Sequence, residues 1–191
     1  MKEYQIFKNI QKHISLSNTE REFFISILIE KDIAKKEIVL EQGSVSSKLY
    51  FVEFGSLRAF NVNEEGREST IMLAVQDWWI TDMYSFVNKK PALLSIETLE
   101  VSRLIEFDFI MLEKLYKRLP KFERFFRILF QNAYIREQLR VLDNISFTTE
   151  QRYTRFIDKY PQIVKKVTQK QIASYLGVTP EFLSSVKKKL S

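Results

Sequence analysis

The apolar residues change their spacing twice along the chain, and this limits the possible folds more than any other feature. From about residue 37 to residue 106 they occur in short runs, whereas on both sides they recur every three or four residues. We predict strands at 37–40, 49–54, 57–62, 69–75 and 95–106. Turn residues separate these runs about every ten residues, a spacing typical of an antiparallel sandwich or barrel.

Helical spacing marks the segments that flank this β-module. Ile6, Ile10 and Ile14 predict one amphipathic helix, and the apolar residues of 23–28 predict a second that begins near Ser17 or Asn18. After the strands, 108–119 and 121–145 are predicted helices that Pro120 separates. A further helix is predicted at 150–159.

The 121–145 helix carries a heptad seam about two and a half repeats long, with alternating steps of three and four. The seam residues are Phe125, Ile128, Asn132, Ile135, Leu139 and Leu142. A second apolar face indicates that one face packs on the β-module and the other meets a second copy of the chain. Asn132 would then fix the register of the dimer. The alternative is a core helix buried within a monomer.

Several classes of protein are excluded by residues that the sequence lacks. It has no cysteine and a single histidine, His13, so disulfides, iron–sulfur ligation and a multi-histidine metal site are all excluded. A metal-dependent enzyme of the cupin type needs several histidines, so we expect neither catalytic residues nor a metal. No apolar run approaches the roughly 20 residues of a membrane helix, and charges interrupt 1–10 where a signal peptide is apolar. These features favour the cytoplasm.

The positive charge of the chain is confined to its last 44 residues. Residues 148–191 hold nine Lys and Arg against three Asp and Glu, while 1–147 hold 21 of each, so the last segment accounts for the whole net charge of +6. This asymmetry indicates a separate module that meets a polyanion, either nucleic acid or an anionic membrane face. A solvated basic surface without a partner is the alternative.

The segment 169–188, QKQIASYLGVTPEFLSSVKK, has the pattern of a helix-turn-helix. Gly177 suits the turn, Thr179 and Pro180 suit the start of the second helix, and Thr168 with Gln171 forms a capping box for the first. A helical hairpin that touches nothing is the alternative. The apolar positions that would pack the two helices are Ile172, Leu176, Val178, Leu183 and Val186.

In such a motif the second helix lies in the major groove of DNA, and lysines around it neutralise phosphates. We predict that the base edges are read by Thr179, Glu181, Ser184, Ser185 and Lys188. We predict phosphate contacts from Lys165, Lys166, Thr168, Gln169, Lys170, Lys187 and Lys189. The helix has no arginine for a bidentate contact to guanine, so we expect DNA shape to contribute to specificity. We place a domain boundary at 146, which gives domains 1–146 and 147–191.

The chain resembles the Crp/Fnr family of bacterial transcription regulators over nearly its whole length. Residues 48–60, KLYFVEFGSLRAF, and 63–68, NEEGRE, look like the strand, glycine turn, strand and acidic hairpin of that family's cyclic-nucleotide-binding-like β-roll. The resemblance implies an α+β fold: a jelly-roll-like antiparallel β-roll with flanking helices, a long dimerisation helix and an all-α DNA-binding domain. It also implies a homodimer on a pseudo-palindromic double-stranded operator, an effector in the β-roll and RNA polymerase as a further partner.

The sequence departs from the family where its cyclic-nucleotide binders hold the ligand. In the matching segment 77–82, DWWITD, Thr81 replaces a glycine and Asp82 a glutamate, and no arginine occurs between Arg67 and Arg103. Without a guanidinium for the cyclic phosphate, cyclic AMP is disfavoured. An iron–sulfur cluster lacks its cysteines, and a haem would have only His13. If another small effector binds, its pocket is predicted to involve Trp78, Trp79, Thr81, Asp82 and Ser95.

Two further points follow from this comparison. Core packing is the alternative role for both tryptophans. The chain also ends at 187–191, KKKLS, without the β-hairpin wing that usually follows the recognition helix. The recognition helix has Pro180 and Ser185 where arginines are frequent in better-known members of the family, so target sequences do not carry over from them. The sequence thus predicts a dimeric DNA-binding regulator, with an effector-binding module that signals through protein contacts as the alternative.

Overall fold

The computed structural model describes residues 4–190, which form strands, helices and connecting turns in the predicted order. The strands are β1 Ile29–Ile33, β2 Ile38–Leu40, β3 Lys48–Phe54, β4 Ser56–Val62, β5 Glu68–Val75, β6 Trp79–Ile80, β7 Ser95–Thr98 and β8 Ser102–Asp108. The helices are α1 Gln5–Gln11, α2 Asn18–Ser26, α3 Met83–Asn88, α4 Phe109–Arg118, α5 Lys121–Ser146, α6 Thr149–Lys159, α7 Pro161–Val164, α8 Gln169–Leu176 and α9 Pro180–Leu190.

The strands form two antiparallel four-stranded sheets, with the orders β1-β8-β3-β6 and β2-β7-β4-β5. Side chains from both sheets share one core, to which β3 contributes Val52, β4 contributes Leu57 and β7 contributes Ile96. Burying such side chains contributes roughly 1.5–3 kcal/mol each. The predicted α+β fold with an antiparallel β-roll is confirmed.

The structure differs from the predicted strands in three places. The short strand β6 was not predicted. The predicted strand 95–106 is two strands, β7 and β8, which lie in different sheets. β1 was not predicted because its central residues are charged. It is an edge strand beside β8, where Arg103 Nε donates to Asp32 Oδ1 at 2.6 Å, so its charged residues remain at the surface.

The turn between β3 and β4 requires glycine. Gly55 has a φ of +100°, a conformation that side chains disfavour. A Cβ at this position would lie only 2.7 Å from the Cα of Ser102. The glycine therefore allows the β3–β4 turn to approach the start of β8.

A cluster of aromatic rings joins the outer face of the first sheet to α1, α2, α4 and the start of α5. The rings of Phe24 and Phe122 stack at 5.0 Å, and Phe125 lies 6.0 Å from Trp79. Phe125 is fully buried in this cluster, so its predicted place in a dimer interface is wrong. The heptad spacing is the same for a helix that packs on its own sheet, so it could not separate the two cases.

The C-terminal helices pack on the β-roll. Leu73 and Val75 of β5 share a core cluster with Ile172, Leu183 and Val186 of α8 and α9. α5 ends at Ser146, the residue at which the sequence places the boundary. The division into domains 1–146 and 147–191 stays a prediction. Within residues 4–190, none of the helices combines the length and apolar character needed to cross a bilayer.

Candidate nucleic-acid interface

The helix-turn-helix forms from the local signals that the sequence carries. Thr168 caps α8 with the predicted box, since its hydroxyl accepts from the backbone of Gln171 and the Gln171 side chain bonds the backbone of Thr168. α8 ends at Gly177, whose φ of +71° is the left-handed conformation. Thr179 Oγ1 then accepts from the backbone N–H of Phe182 at 3.2 Å and caps the start of α9.

One face of α9 is buried and the opposite face is open. Leu183 and Val186 are fully buried against α8 and its neighbours. The five residues predicted to read bases are all exposed: Thr179, Glu181, Ser184, Ser185 and Lys188. Phe182 is 46% exposed beside them. The structure thus brings the predicted reading residues onto one open surface.

Several polar groups on this surface are held by local hydrogen bonds. Gln169 Nε2 donates to Ser184 Oγ at 2.9 Å, which links the start of α8 to α9. Ser185 Oγ donates to the carbonyl of Phe182 at 2.8 Å. The side chains are therefore partly oriented before any partner arrives.

Most of the residues predicted to contact phosphates are open to solvent. Gln169 is half-buried, and the other six are exposed: Lys165, Lys166, Thr168, Lys170, Lys187 and Lys189. Glu100 pairs with Lys166, whose Nζ lies 2.9 Å from Glu100 Oε2. Lys189 Nζ lies 4.0 Å from Glu150 Oε1 and is largely open to solvent. This surface remains strongly basic.

The β-roll adds basic side chains that the sequence argument missed. A groove of about 850 Å³ separates the roll from the starts of α8 and α9. Lys35, Lys36 and Arg67 line its wall on the roll, and Lys170 and Glu181 line its wall on the helices. The adjacent pair of lysines before β2 was the available signal, but only the tertiary fold brings it beside the helix-turn-helix.

Polar contacts attach α8 to β5. The backbone N–H of Thr70 donates to Ser174 Oγ at 2.8 Å. The guanidinium of Arg140 donates to the carbonyls of Ile71 and Tyr175 and stacks 4.4 Å above the Tyr175 ring. Burial raises the pKa of the Tyr175 hydroxyl, and the positive charge of Arg140 opposes this rise. A side chain of the long helix therefore connects the β-roll to the helix-turn-helix.

Beyond its first two turns, α5 presents the predicted seam to solvent. Ile135 is 51% exposed, Leu139 44% and Leu142 54%, and Asn132 is also exposed. Ile128, at the edge of the core, is partly buried. On the neighbouring face, Arg136, Arg140 and Asp143 contact the rest of the chain. An apolar stripe this long is unusual on the surface of a monomer.

The residues of the predicted effector pocket do not come together in one cavity. Trp79 is buried in the aromatic cluster and donates to Asn9 Oδ1, whereas Trp78 packs against Tyr160, which lies between α6 and α7. Thr81 bonds the carbonyl of Lys48. These three side chains serve packing and local hydrogen bonding.

Asp82 and Ser95 have structural roles as well. The Asp82 carboxylate is buried and accepts from the backbone N–H groups of Ser85, Leu93 and Leu94 at 2.7–2.9 Å. Ser95 Oγ accepts from the backbone N–H of Gln42 at 3.0 Å. The carboxylate of Asp82 therefore binds backbone groups: it caps the start of α3 and holds the loop that follows this helix.

Comparisons with known proteins agree with this architecture. Residues 30–118 match the cyclic nucleotide-binding domain. The potassium channel KOR1 of Oryza sativa subsp. japonica is 31% identical over 90 residues, which are 46% of this chain and 10% of the channel. The regulatory protein HlyX of Actinobacillus pleuropneumoniae is 22% identical over 169 residues, which are 81% of this chain and 68% of that protein.

Solved structures share the fold over most of the chain. The c-di-GMP responsive global regulator CLP of Xanthomonas campestris matches with a TM-score of 0.73 and 16% identity, covering 91% of each chain. FixK2 of Bradyrhizobium japonicum matches with a TM-score of 0.74 and 16% identity, covering 86% of this chain and 84% of that one. These likenesses confirm the resemblance to Crp/Fnr regulators at the level of the fold.

Proposed function

We propose that this chain, which has the Crp/Fnr fold and a cyclic nucleotide-binding domain at 30–118, is a homodimeric, sequence-specific DNA-binding transcription regulator. One observation carries the proposal: the residues predicted to read bases share the open face of α9, while the opposite face is buried. A helix in this arrangement can enter the major groove without unfolding its support. Action on DNA would place it in the cytoplasm, with no catalytic role.

The charge distribution supports a polyanionic partner. The last 44 residues carry the entire net charge of +6, and most of the lysines among them belong to the helix-turn-helix or flank it in the sequence. Phosphate neutralisation supplies much of the affinity of such proteins for DNA. Lys35, Lys36 and Arg67 extend this basic surface onto the β-roll.

The exposed stripe on α5 supports dimerisation. Two copies that pair through Ile135, Leu139 and Leu142 would bury it, with Asn132 setting the register. The reading helices would then lie about one turn of DNA apart, roughly 34 Å. Such a dimer fits a pseudo-palindromic operator.

We propose that cyclic AMP is not the effector. Asp82 already accepts hydrogen bonds from three backbone N–H groups, and the segment between Arg67 and Arg103 has no guanidinium for a cyclic phosphate. Neither haem nor an iron–sulfur cluster has a suitable set of ligands in the sequence. We include RNA polymerase as a partner because transcription regulators of this type contact it. No surface of this chain is assigned to that contact.

Selection of bound fragments from random duplex DNA tests the function directly. We expect two half-sites related by two-fold symmetry, with centres about 10 base pairs apart. A dimer that neutralises six to ten phosphates should lose about 10³ to 10⁵ in affinity between 50 and 200 mM salt. A protein that enriches no sequence and binds duplex DNA at neither salt concentration contradicts the proposal.

Charge-matched variants separate DNA contacts from general electrostatics. Lys170→Gln should weaken binding to all sequences and lower the salt slope by about one per protomer, because it removes one of the charges predicted to neutralise a phosphate. Lys117→Gln, an equal change on exposed α4, should leave both unchanged. Glu181→Ala should alter base preference at one position in each half-site.

The alternative is a module that signals through protein contacts, with its terminal helices as the docking element. The apolar Phe182 on the exposed face of α9 favours this alternative. The salt series discriminates between the two, since an apolar protein contact depends little on salt. Phe182→Ala would abolish a protein contact, but it would leave the salt slope of DNA binding in place.

A further inference from the structure

A cavity of about 390 Å³ lies where α5, α6 and α8 meet. It is separate from the reading face and from the predicted effector pocket. Small-molecule sites in proteins usually have volumes of about 300–1,000 Å³. The cavity is thus large enough for a small organic ligand.

Basic side chains dominate its lining. It contains Arg136, Arg140, Arg152, Arg155 and Lys159, against the carboxylates Asp143 and Asp158. Arg155 Nη2 bonds Asp143 Oδ1 at 3.1 Å, which neutralises one pair. Glu137, outside the lining, lies 3.7 Å from Arg136 and 3.6 Å from Arg140. Within residues 4–190, Arg152 and Lys159 are therefore the lining cations without an ion pair.

Arg152 is the most informative of these residues. Its Nη atoms donate to neutral oxygens: the Leu176 carbonyl at 2.9 Å, Asn144 Oδ1 at 2.8 Å and Thr149 Oγ1 at 3.2 Å. Its Nε atom is buried and has no hydrogen-bond partner within residues 4–190. The Leu176 contact stabilises the end of α8, but it supplies no full negative charge. Arg152 is partly buried and forms no ion pair with a carboxylate of residues 4–190, and a guanidinium in such a place is most stable beside an anion.

The cavity also has an apolar wall. The rings of Phe156 and Tyr175 lie 5.2 Å apart, and Tyr160 and Leu139 extend this surface. A ligand that fits must therefore combine an anionic group with an apolar or aromatic body.

We propose that this cavity binds a small organic anion, whose phosphate or carboxylate group meets Arg152 and whose apolar body packs on Phe156 and Tyr175. Both groups present oxygens that suit the planar donors of arginine. A ligand here would contact the long helix and the helix-turn-helix together. Any effect on operator binding rests on the proposed function, but binding of the anion does not.

The test uses the full chain without DNA and the fluorescent sulfonate 1-anilinonaphthalene-8-sulfonate as the probe. We expect one probe per chain and binding that Arg152→Gln weakens by about tenfold or more, as expected for a lost charged hydrogen bond. Arg127→Gln is the matched control, since Arg127 lies on the same long helix, bonds Gln131 and is outside the cavity. Displacement by pyrophosphate or by citrate shows which anionic group is preferred.

Two further variants keep the result decisive. Arg136→Gln removes another cation of the cavity, which stacks on Trp78 at 4.9 Å. This variant is measured instead if Arg152→Gln unfolds because it loses the contact with Leu176. Leu142→Asp places a charge on the exposed stripe of α5, so it weakens binding only of probe that lies on that stripe. Absent binding, or binding that falls only with Leu142→Asp, overturns the proposal. Because DNA is not present, this result is independent of whether the chain binds an operator.

Discussion

In the first two turns of α5, Phe122, Phe125 and Phe126 are buried among the aromatic rings of the β-roll domain, whereas further along the same helix Leu139 and Leu142 face solvent. The apolar residues keep one spacing throughout. The two halves differ in what packs against them. The first sheet, α2 and α4 cover only the first turns of α5, and the rest of α5 extends past them. A heptad pattern therefore identifies an apolar face, but not the surface that covers it.

The largest expected effect comes from placing charge on the exposed half. Leu139→Asp combined with Leu142→Asp should convert a dimer into monomers, because paired helices would bury four carboxylates. Operator affinity should fall by about a hundredfold or more, since binding through two linked heads is lost. Sedimentation and DNA titration measure the two effects. Unchanged operator binding by a proven monomer would discard the paired arrangement.

The next effect concerns the buried half. Phe125→Ala should lower the free energy of unfolding by about 3–5 kcal/mol, because it leaves a cavity among packed rings. Association of the folded chains should not change. Phe130→Ala, on a partly exposed ring of the same helix, should cost less than about 1 kcal/mol. Denaturant unfolding at fixed protein concentration measures the free energy of unfolding of both variants. Equal losses of stability would mean that the two halves of α5 are not packed differently.

A smaller change is expected at the polar position of the seam. Asn132→Leu should tighten the dimer roughly tenfold, because an apolar side chain replaces an amide at the interface. The same substitution should permit alternative registers, seen as a broader range of half-site spacings among selected DNA fragments. A dimer constant identical to that of the original chain would place Asn132 outside the interface.

The smallest effect is electrostatic and lies at the first residue of α5. Lys121 Nζ donates to Glu20 Oε2 at 2.9 Å, and this bond is the main reason that the pKa of the Glu20 carboxyl lies below its ordinary value of 4.5. The stability gained is thus present above the ordinary pKa and is lost as pH falls through the lowered one. Carboxyl titration by NMR should show a higher Glu20 pKa in Lys121→Gln. An unchanged pKa would assign the shift to Ser17 alone.

The sequence predicted most of the secondary structure and the helix-turn-helix because these depend on local signals. Capping residues and Gly177 fix the ends of α8, and Thr179 fixes the start of α9. It did not reveal β1, whose charged residues suit an exposed edge, nor the separation of β7 from β8. Those features depend on neighbours that are distant in the chain.

For the interface, the sequence identified the open face of α9 because helical periodicity alone separates Leu183 and Val186 from the residues between them. It could not decide whether Phe125 lies in the core or at a dimer interface. Nor could it show that Trp78 and Trp79 are used in packing and that Asp82 is bound by backbone N–H groups. Which side chain is buried depends on what covers it, and the sequence does not state this.

By itself, the sequence determined most of the strands and helices, the basic C-terminal segment and the local caps, since period, charge and backbone preference act over a few residues. Only the tertiary structure decided which half of α5 is covered, that Lys35, Lys36 and Arg67 lie beside the helix-turn-helix, and that a basic cavity forms at the end of α5. These outcomes require segments far apart in the chain to meet, and the cost in conformational entropy is recovered only when the whole core assembles.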